Sequence, residues 1–249
     1  MWTRGLVCEA LAMIDVVKAA CLFSIGMLLV SPAMALAQMA TKIEVKSDDR
    51  FRGRSLSNAN PVAKIDMALD LTGGTYLGGS VAANFGGADG LALHGVTGYF
   101  GYAMPLDDEV TIDIGAAGYS YTDAFSGKTA TGYGEVYLGL SSGKVAAYAH
   151  YTPDYFGNGI AVLYTKFSYA KLLDNDVTLK AHAGVLMQTS GLPRLGGRDK
   201  RYDAQVSVSR DVLGLEAQVA FTIGGHDDRY FASPWGGSSA VVVSLAKHF

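Results

Sequence analysis

No cysteine occurs after Cys21, and the only other one is Cys8. Both lie in a leading segment that reads as removable, so the mature chain would have no disulfide and no thiolate metal site. Proline is scarce, at 6 of 249 residues, which suits long pleated strands and argues against disorder. Charge of one sign is also missing. Lys and Arg total 20 against 23 Asp and Glu, a net of −3, and so balanced a chain gives no reason to expect nucleic acid as a partner. Past residue 37 no apolar run approaches the roughly 20 residues that a membrane-spanning helix needs. What is abundant is glycine, at 31, and tyrosine, at 14.

The first 37 residues read as an export signal. Lys18 precedes the apolar run 19–30, and Ser31-Pro-Ala-Met-Ala-Leu-Ala37 follows with two small-x-small sites. Cleavage is expected after Ala37. An uncleaved anchor helix is the alternative, and Met13 is a second candidate start. Residues 38–249 are then one unit.

Period-2 alternation dominates that unit. Tyr202–Ser209 (YDAQVSVS) and Val177–His182 (VTLKAH) alternate at every position, and Ala63, Ile65, Met67, Leu69 and Leu71 form one face of another strand. Twelve strands are expected, at 41–51, 61–72, 75–84, 91–103, 109–121, 132–141, 144–152, 159–170, 176–186, 200–210, 214–223 and 239–249. Short turns (73–74, 105–108, 142–143, 171–175, 211–213) alternate with longer loops (52–60, 85–90, 122–131, 153–158, 187–199, 224–238). An up-and-down antiparallel barrel has this asymmetry when it crosses an outer membrane, and an even strand count puts both termini at the short-turn, periplasmic end. The fold class expected is therefore all-β, a transmembrane barrel of about 12 strands. Its last strand, ending on Phe249, would pair with the first and remove the open edge.

Alternation alone does not say which face is wet, since a soluble β-sandwich or lipocalin-like barrel gives the same pattern inverted. The export signal, the loop asymmetry and the terminal Phe249 favour the membrane version. Ionic side chains then fill the lumen, and the pore-lining candidates are Lys46, Arg50, Arg52, Lys64, Asp66, Asp70, Asp113, Glu135, Lys144, Lys180, Arg201, Asp203 and Glu216. Tyr99, Tyr151, Tyr169, Tyr202, Phe221 and Phe249 are read as interface aromatics. Lys42, Glu44, Asp48 and nearby residues extend the charged face of the first strand.

Four motifs stand out. Phe51-Arg-Gly-Arg54 places two guanidinium groups near the top of the first strand. They would either select anions at a constriction or pair with Asp66 or Asp70 next door. Pro153–Asn158 is a turn cluster expected to fold over the barrel mouth. His94, His150 and His182 have lumenal parity, whereas a lipid hydrolase needs a histidine–serine pair facing lipid. His226-Asp-Asp228 is a solvated loop rather than a metal site, with no third ligand evident. Strand glycines such as Gly101, Gly115, Gly134, Gly139 and Gly184 are read as permitting curvature.

Several blocks resemble a proteobacterial family of porin-like proteins, the Gcw_chp or TorF-type family. Ser47-Asp-Asp-Arg-Phe-Arg-Gly53 resembles its opening block, with Asp49 where the family has an aromatic. Pro61, Gly74–Asn84, Tyr151-Thr-Pro-Asp-Tyr-Phe-Gly157 and Ala240–Phe249 resemble further blocks. The resemblance implies an outer-membrane β-barrel acting as a porin and names no substrate. The reading is a channel for small hydrophilic solutes, exported to the outer membrane of a Gram-negative cell. No catalytic residues, cofactor or metal are expected. Its partners would be the lipid bilayer, the solutes, and the barrel-assembly machinery through the strand ending at Phe249. A lipid-modifying enzyme or a plugged structural barrel are the alternatives.

Overall fold

The computed structural model describes residues 38–87, 90–123, 128–191, 200–224 and 239–249. The signal segment and His226-Asp-Asp228 lie outside the described residues. The strands are β1 (Gln38–Lys46), β2 (Arg50–Phe51), β3 (Arg54–Ser55), β4 (Val62–Asp70), β5 (Thr75–Gly87), β6 (Gly90–Pro105) and β7 (Val110–Asp123). They continue as β8 (Lys128–Ser142), β9 (Val145–Thr152), β10 (Ala161–Leu172), β11 (Val177–Ser190), β12 (Lys200–Val212), β13 (Leu215–Gly224) and β14 (Ser239–His248).

Twelve of these form a closed barrel in which each strand pairs antiparallel with its chain neighbour. β2 and β3 form a separate two-residue hairpin. Closure comes from β1 against β14, in register from Lys42 opposite His248 to Lys46 opposite Ser244. Phe249 N donates to Thr41 O at 2.9 Å. Closure gives every edge a partner, which an open sheet in hydrocarbon lacks. The expected strands are all present, with shifted ends. Residues 85–87 and 122–123 belong to strands rather than loops, and β8 begins at Lys128, so those two connections are tighter than the sequence implied.

The short turns are set by local chemistry. Asp107 Oδ1 accepts from the backbone N–H groups of Glu109 and Val110, both at 2.8 Å. Leu213 and Gly214 both have positive φ, 56° and 77°, the requirement of a two-residue primed hairpin turn. Leu213 pays no burial benefit, being 99% exposed.

Orientation is decided by exposure. Ile65, Ile114, Val136, Leu138, Phe167, Val206, Val219, Phe221 and Val241 are all exposed, whereas inward neighbours Glu135, Asp203, Ser207, Ser209, Thr222 and Ser244 are buried. The greasy side chains clothe the barrel and the polar ones fill it. Tyr151, Tyr202, Phe221 and Phe249 are exposed as expected of interface aromatics. Tyr99 is a correction. Phe100 takes the outward position on β6 at 65% exposure, and the Tyr99 ring turns inward against Gly78. The parity of a strand admits only one of two neighbours to each face.

Candidate functional site: a loop folded into the lumen

The first correction concerns β1. The expected strand 41–51 ends at Lys46. Ser47 closes it: its backbone N–H donates to Val243 O at 2.9 Å, and its Oγ accepts from Val243 N at 3.1 Å. The chain then leaves the wall, and residues 47–61 form a compact loop that reaches across the lumen. Asp48 ties it internally. Its Oδ1 accepts from Ser55 Oγ at 2.5 Å and Ser57 Oγ at 3.0 Å, and its Oδ2 accepts from Arg50 Nε at 2.7 Å. Asp48 is buried at 5% exposure, and this set of donors satisfies the carboxylate without water.

The tip is the β2–β3 hairpin, turned by Arg52 (φ 49°) and Gly53 (φ 78°). Two positive φ values in a row again define a primed turn. For arginine that region is strained, and such strain persists only where surrounding contacts hold it. Here they do. Arg52 Nη2 donates to Glu135 Oε2 on β8 at 2.6 Å, with side-chain exposures of 7% and 1%. The guanidinium lies 4.3 Å from the Tyr164 ring centroid and 4.7 Å from that of Phe51. Glu135 also accepts from Tyr119 OH at 2.9 Å and faces His150 Nδ1 at 3.0 Å. For Arg52 the expected partners, Asp66 and Asp70, are replaced by Glu135, because the loop crosses to the far wall instead of lying on its own.

Gly53 sits against a different stretch of wall, β12 and β13. A Cβ there would come 2.8 Å from Asp203 Cβ and 3.0 Å from the Gly224 carbonyl carbon. At the base of the loop, Asp49 Oδ1 lies 2.7 Å from Lys46 Nζ and Asp49 Oδ2 lies 3.1 Å from His94 Nε2. Burial alone would raise the Asp49 carboxyl. The His94 hydrogen bond and the Lys46 ammonium outweigh it and hold the group well below the ordinary carboxylate range.

A second loop packs beside the first. Residues 153–158, expected to fold over the mouth, enter it. Tyr155 and Phe156 are each 5% exposed, and Tyr155 N donates to Ile160 O at 2.8 Å. Tyr133, Tyr155, Phe156, Ile160, Val162, Tyr164 and Leu186 form an apolar cluster inside the barrel, with Phe51, Tyr119 and Tyr121 against it. Tyr133 stacks on Tyr119 at 4.9 Å and contacts Phe156 at 4.7 Å. Among the described residues, the long-loop half of the lumen is thus filled by protein.

The candidate residues divide by place. Lys46, Lys64, Asp66, Asp113, Glu135, Lys180, Arg201, Asp203 and Glu216 lie on inward strand positions, and Asp70 ends β4. Lys64 and Lys42 pair with Asp66 at 2.7 and 4.0 Å, His182 with Asp203 at 3.0 Å, and Lys180 with Glu216 at 3.8 Å. Arg50 is corrected from the first strand to the hairpin carried by the loop, Arg52 lies in the loop 52–60 as expected, and Lys144 is corrected from wall to turn, since β8 ends at Ser142 and β9 begins at Val145. The four described histidines each face a carboxylate: His94–Asp49, His150–Glu135, His182–Asp203 and His248–Glu216.

The lumenal tyrosines were not singled out in the sequence. Tyr76, Tyr137, Tyr148 and Tyr164 lean over the inward glycines Gly101, Gly115, Gly139 and Gly184 on neighbouring strands. The missing Cβ atoms leave recesses that the rings occupy. These glycines serve close approach rather than curvature alone. Asp113 accepts from Tyr76 OH at 2.5 Å and Tyr148 OH at 3.1 Å. Inward Gly–Tyr pairs on adjacent strands were the signal available, legible only once the register is known.

Three solved structures similar to this barrel in fold are of porins. The KdgM porin aligns with a TM-score of 0.52 at 12% identity, over 84% of this chain and 99% of that one. A second KdgM structure, in complex with disordered oligogalacturonate, gives 0.52 at 11% identity over 86% and 99%. The NanC porin gives 0.51 at 11% identity over 84% and 98%. None of the curated proteins matches. One family model, described as "Bacterial protein of unknown function (Gcw_chp)", matches residues 32–249. With the whole barrel inside that match, this chain belongs to the Gcw_chp family.

Proposed function

We propose that this protein is an outer-membrane channel for small hydrophilic solutes whose resting state is closed by its own first loop. The observation that carries the reading is the Arg52–Glu135 pair, buried at both ends and deep in a barrel whose exterior is apolar. Twelve strands lie between the eight that side chains can fill and the sixteen or more that leave an open pore. Inserted loops therefore suffice to occlude the lumen, and their withdrawal would leave a narrow polar passage. The inward Lys64, Asp66, Asp113, Lys180, Arg201, Asp203 and Glu216 would line it. The TorF-type grouping belongs to this reading. Two of the blocks that carry it, 47–53 and 151–157, hold parts of the two loops that meet in the mouth.

A plugged structural barrel is the second reading, favoured by the same filled lumen. Planar-bilayer recording separates the two. The refolded chain is expected to be mostly closed with brief openings, and a variant lacking residues 48–60 to conduct steadily. If that variant migrates on gels as a folded barrel yet passes no current, the channel reading falls and the structural one replaces it.

A further inference from the structure

The short-turn half of the lumen differs from the mouth. A cavity of about 360 Å³ lies between the β8–β9 turn and β13, at the small end of the range for ligand sites. Lys144, Lys180, His182, Gln205, Ser207 and Gln218 line it, and no Asp or Glu is among its lining residues. Lys180 is about half exposed, and its nearest carboxylate oxygen, on Glu216, is 3.8 Å away. Glu216 is itself engaged by His248 at 2.8 Å. Asp203 fixes the His182 ring through Nε2 at 3.0 Å. Gln205 Oε1 accepts from Thr222 Oγ1, which leaves the Gln205 amide hydrogens to donate elsewhere. One step deeper on the same face of β10, Lys166 lies 5.5 Å over the Tyr148 ring. The opposite wall differs in kind: Asp113 is capped by tyrosine hydroxyls, and Asp66 is paired with lysines.

The lining thus offers ammonium and amide donors together with hydroxyls and contains no carboxylate of its own; Glu216, 3.8 Å from Lys180 and held by His248, is the acid a ligand would displace. We infer that this cavity binds a small hydroxylated carboxylate, a sugar acid in chemical class, from the short-turn side of the occluding loop. The carboxylate sits between Lys180 and Lys144, and the hydroxyls meet Ser207, Gln205 and Gln218. This depends on the channel reading only for how the solute arrives.

Binding is tested apart from conduction, by calorimetric titration of the refolded chain in detergent with D-gluconate and with sorbitol as its uncharged counterpart. Gluconate is expected to bind at about millimolar Kd and sorbitol at least about tenfold more weakly. Lys180→Gln should weaken gluconate by about tenfold, the value of one charge-assisted hydrogen bond. Lys171→Gln removes an exposed lysine at the neighbouring turn and should change nothing. If Lys180→Gln does not refold, Lys144→Gln carries the same expectation. Equal affinity for gluconate and sorbitol, no binding of either, or equal effects of the 180 and 171 variants would overturn the assignment. Gluconate binding by a barrel that never conducts would uphold this site while removing the channel, and conduction without selective binding would do the reverse.

Discussion

Arg52 is the residue on which the closed lumen turns. It occupies a strained backbone region and joins Glu135 across 83 residues of chain. Arg52→Ala leaves Glu135 buried with only Tyr119 and His150 to satisfy it. Breaking a buried pair costs about 3–5 kcal/mol, and the surviving partners argue for the low end, about 3 kcal/mol of loop docking. Single-channel open probability should rise markedly, with Arg52→Lys intermediate because a lysine keeps the charge but not the planar contact with Tyr164. Gly139→Ala tests the wall itself. Its Cβ would meet the Tyr148 ring and force it off the strand, for a loss of about 1–3 kcal/mol typical of overpacking. Urea titration of folded against unfolded gel mobility reads this directly. Both residues were visible in the sequence, one as a cation near a strand top and the other as a strand glycine. Neither pairing was, because each partner lies on another strand.

The loop 47–61 is the element with the most consequence. Its alternating Lys46, Asp48 and Arg50 mimic a strand face, and so the sequence extends β1 by five residues too far. What ends the strand is a side chain, Ser47, taking a ladder N–H, and what draws the chain inward is a set of contacts made only across the barrel. Asp49 gives the loop an acid dependence. Its carboxyl is held below the ordinary value of 3.8 when docked, so its contribution to docking is full above that value and is lost as pH falls below it. The open fraction should therefore start to climb only once pH falls below about 4 and keep rising as it falls further, and Asp49→Asn should flatten that part of the profile in bilayer recordings. An open fraction independent of pH in the wild-type chain would show that Asp49 does not hold the loop.

At the scale of the whole molecule, the barrel is inside-out relative to a soluble β-protein. Val208 is 45% exposed at an outward position in β12. Val208→Arg should destabilise insertion by about 2–4 kcal/mol if the position lies near the bilayer midplane, measured by folding into lipid vesicles in urea. Ser209→Thr, a small polar change at the next, inward position, should shift it far less. The sequence by itself determined the strand count, the two-ended division of turns and loops, and the face on which charge lies, because a period of two and a few turn residues act over short distances. Only the tertiary structure decided that the lumen is occupied. Filling it requires Arg52 to meet Glu135, Gly53 to meet Asp203 and Phe156 to meet Tyr133. Those meetings depend on barrel closure and strand register, which no local pattern encodes.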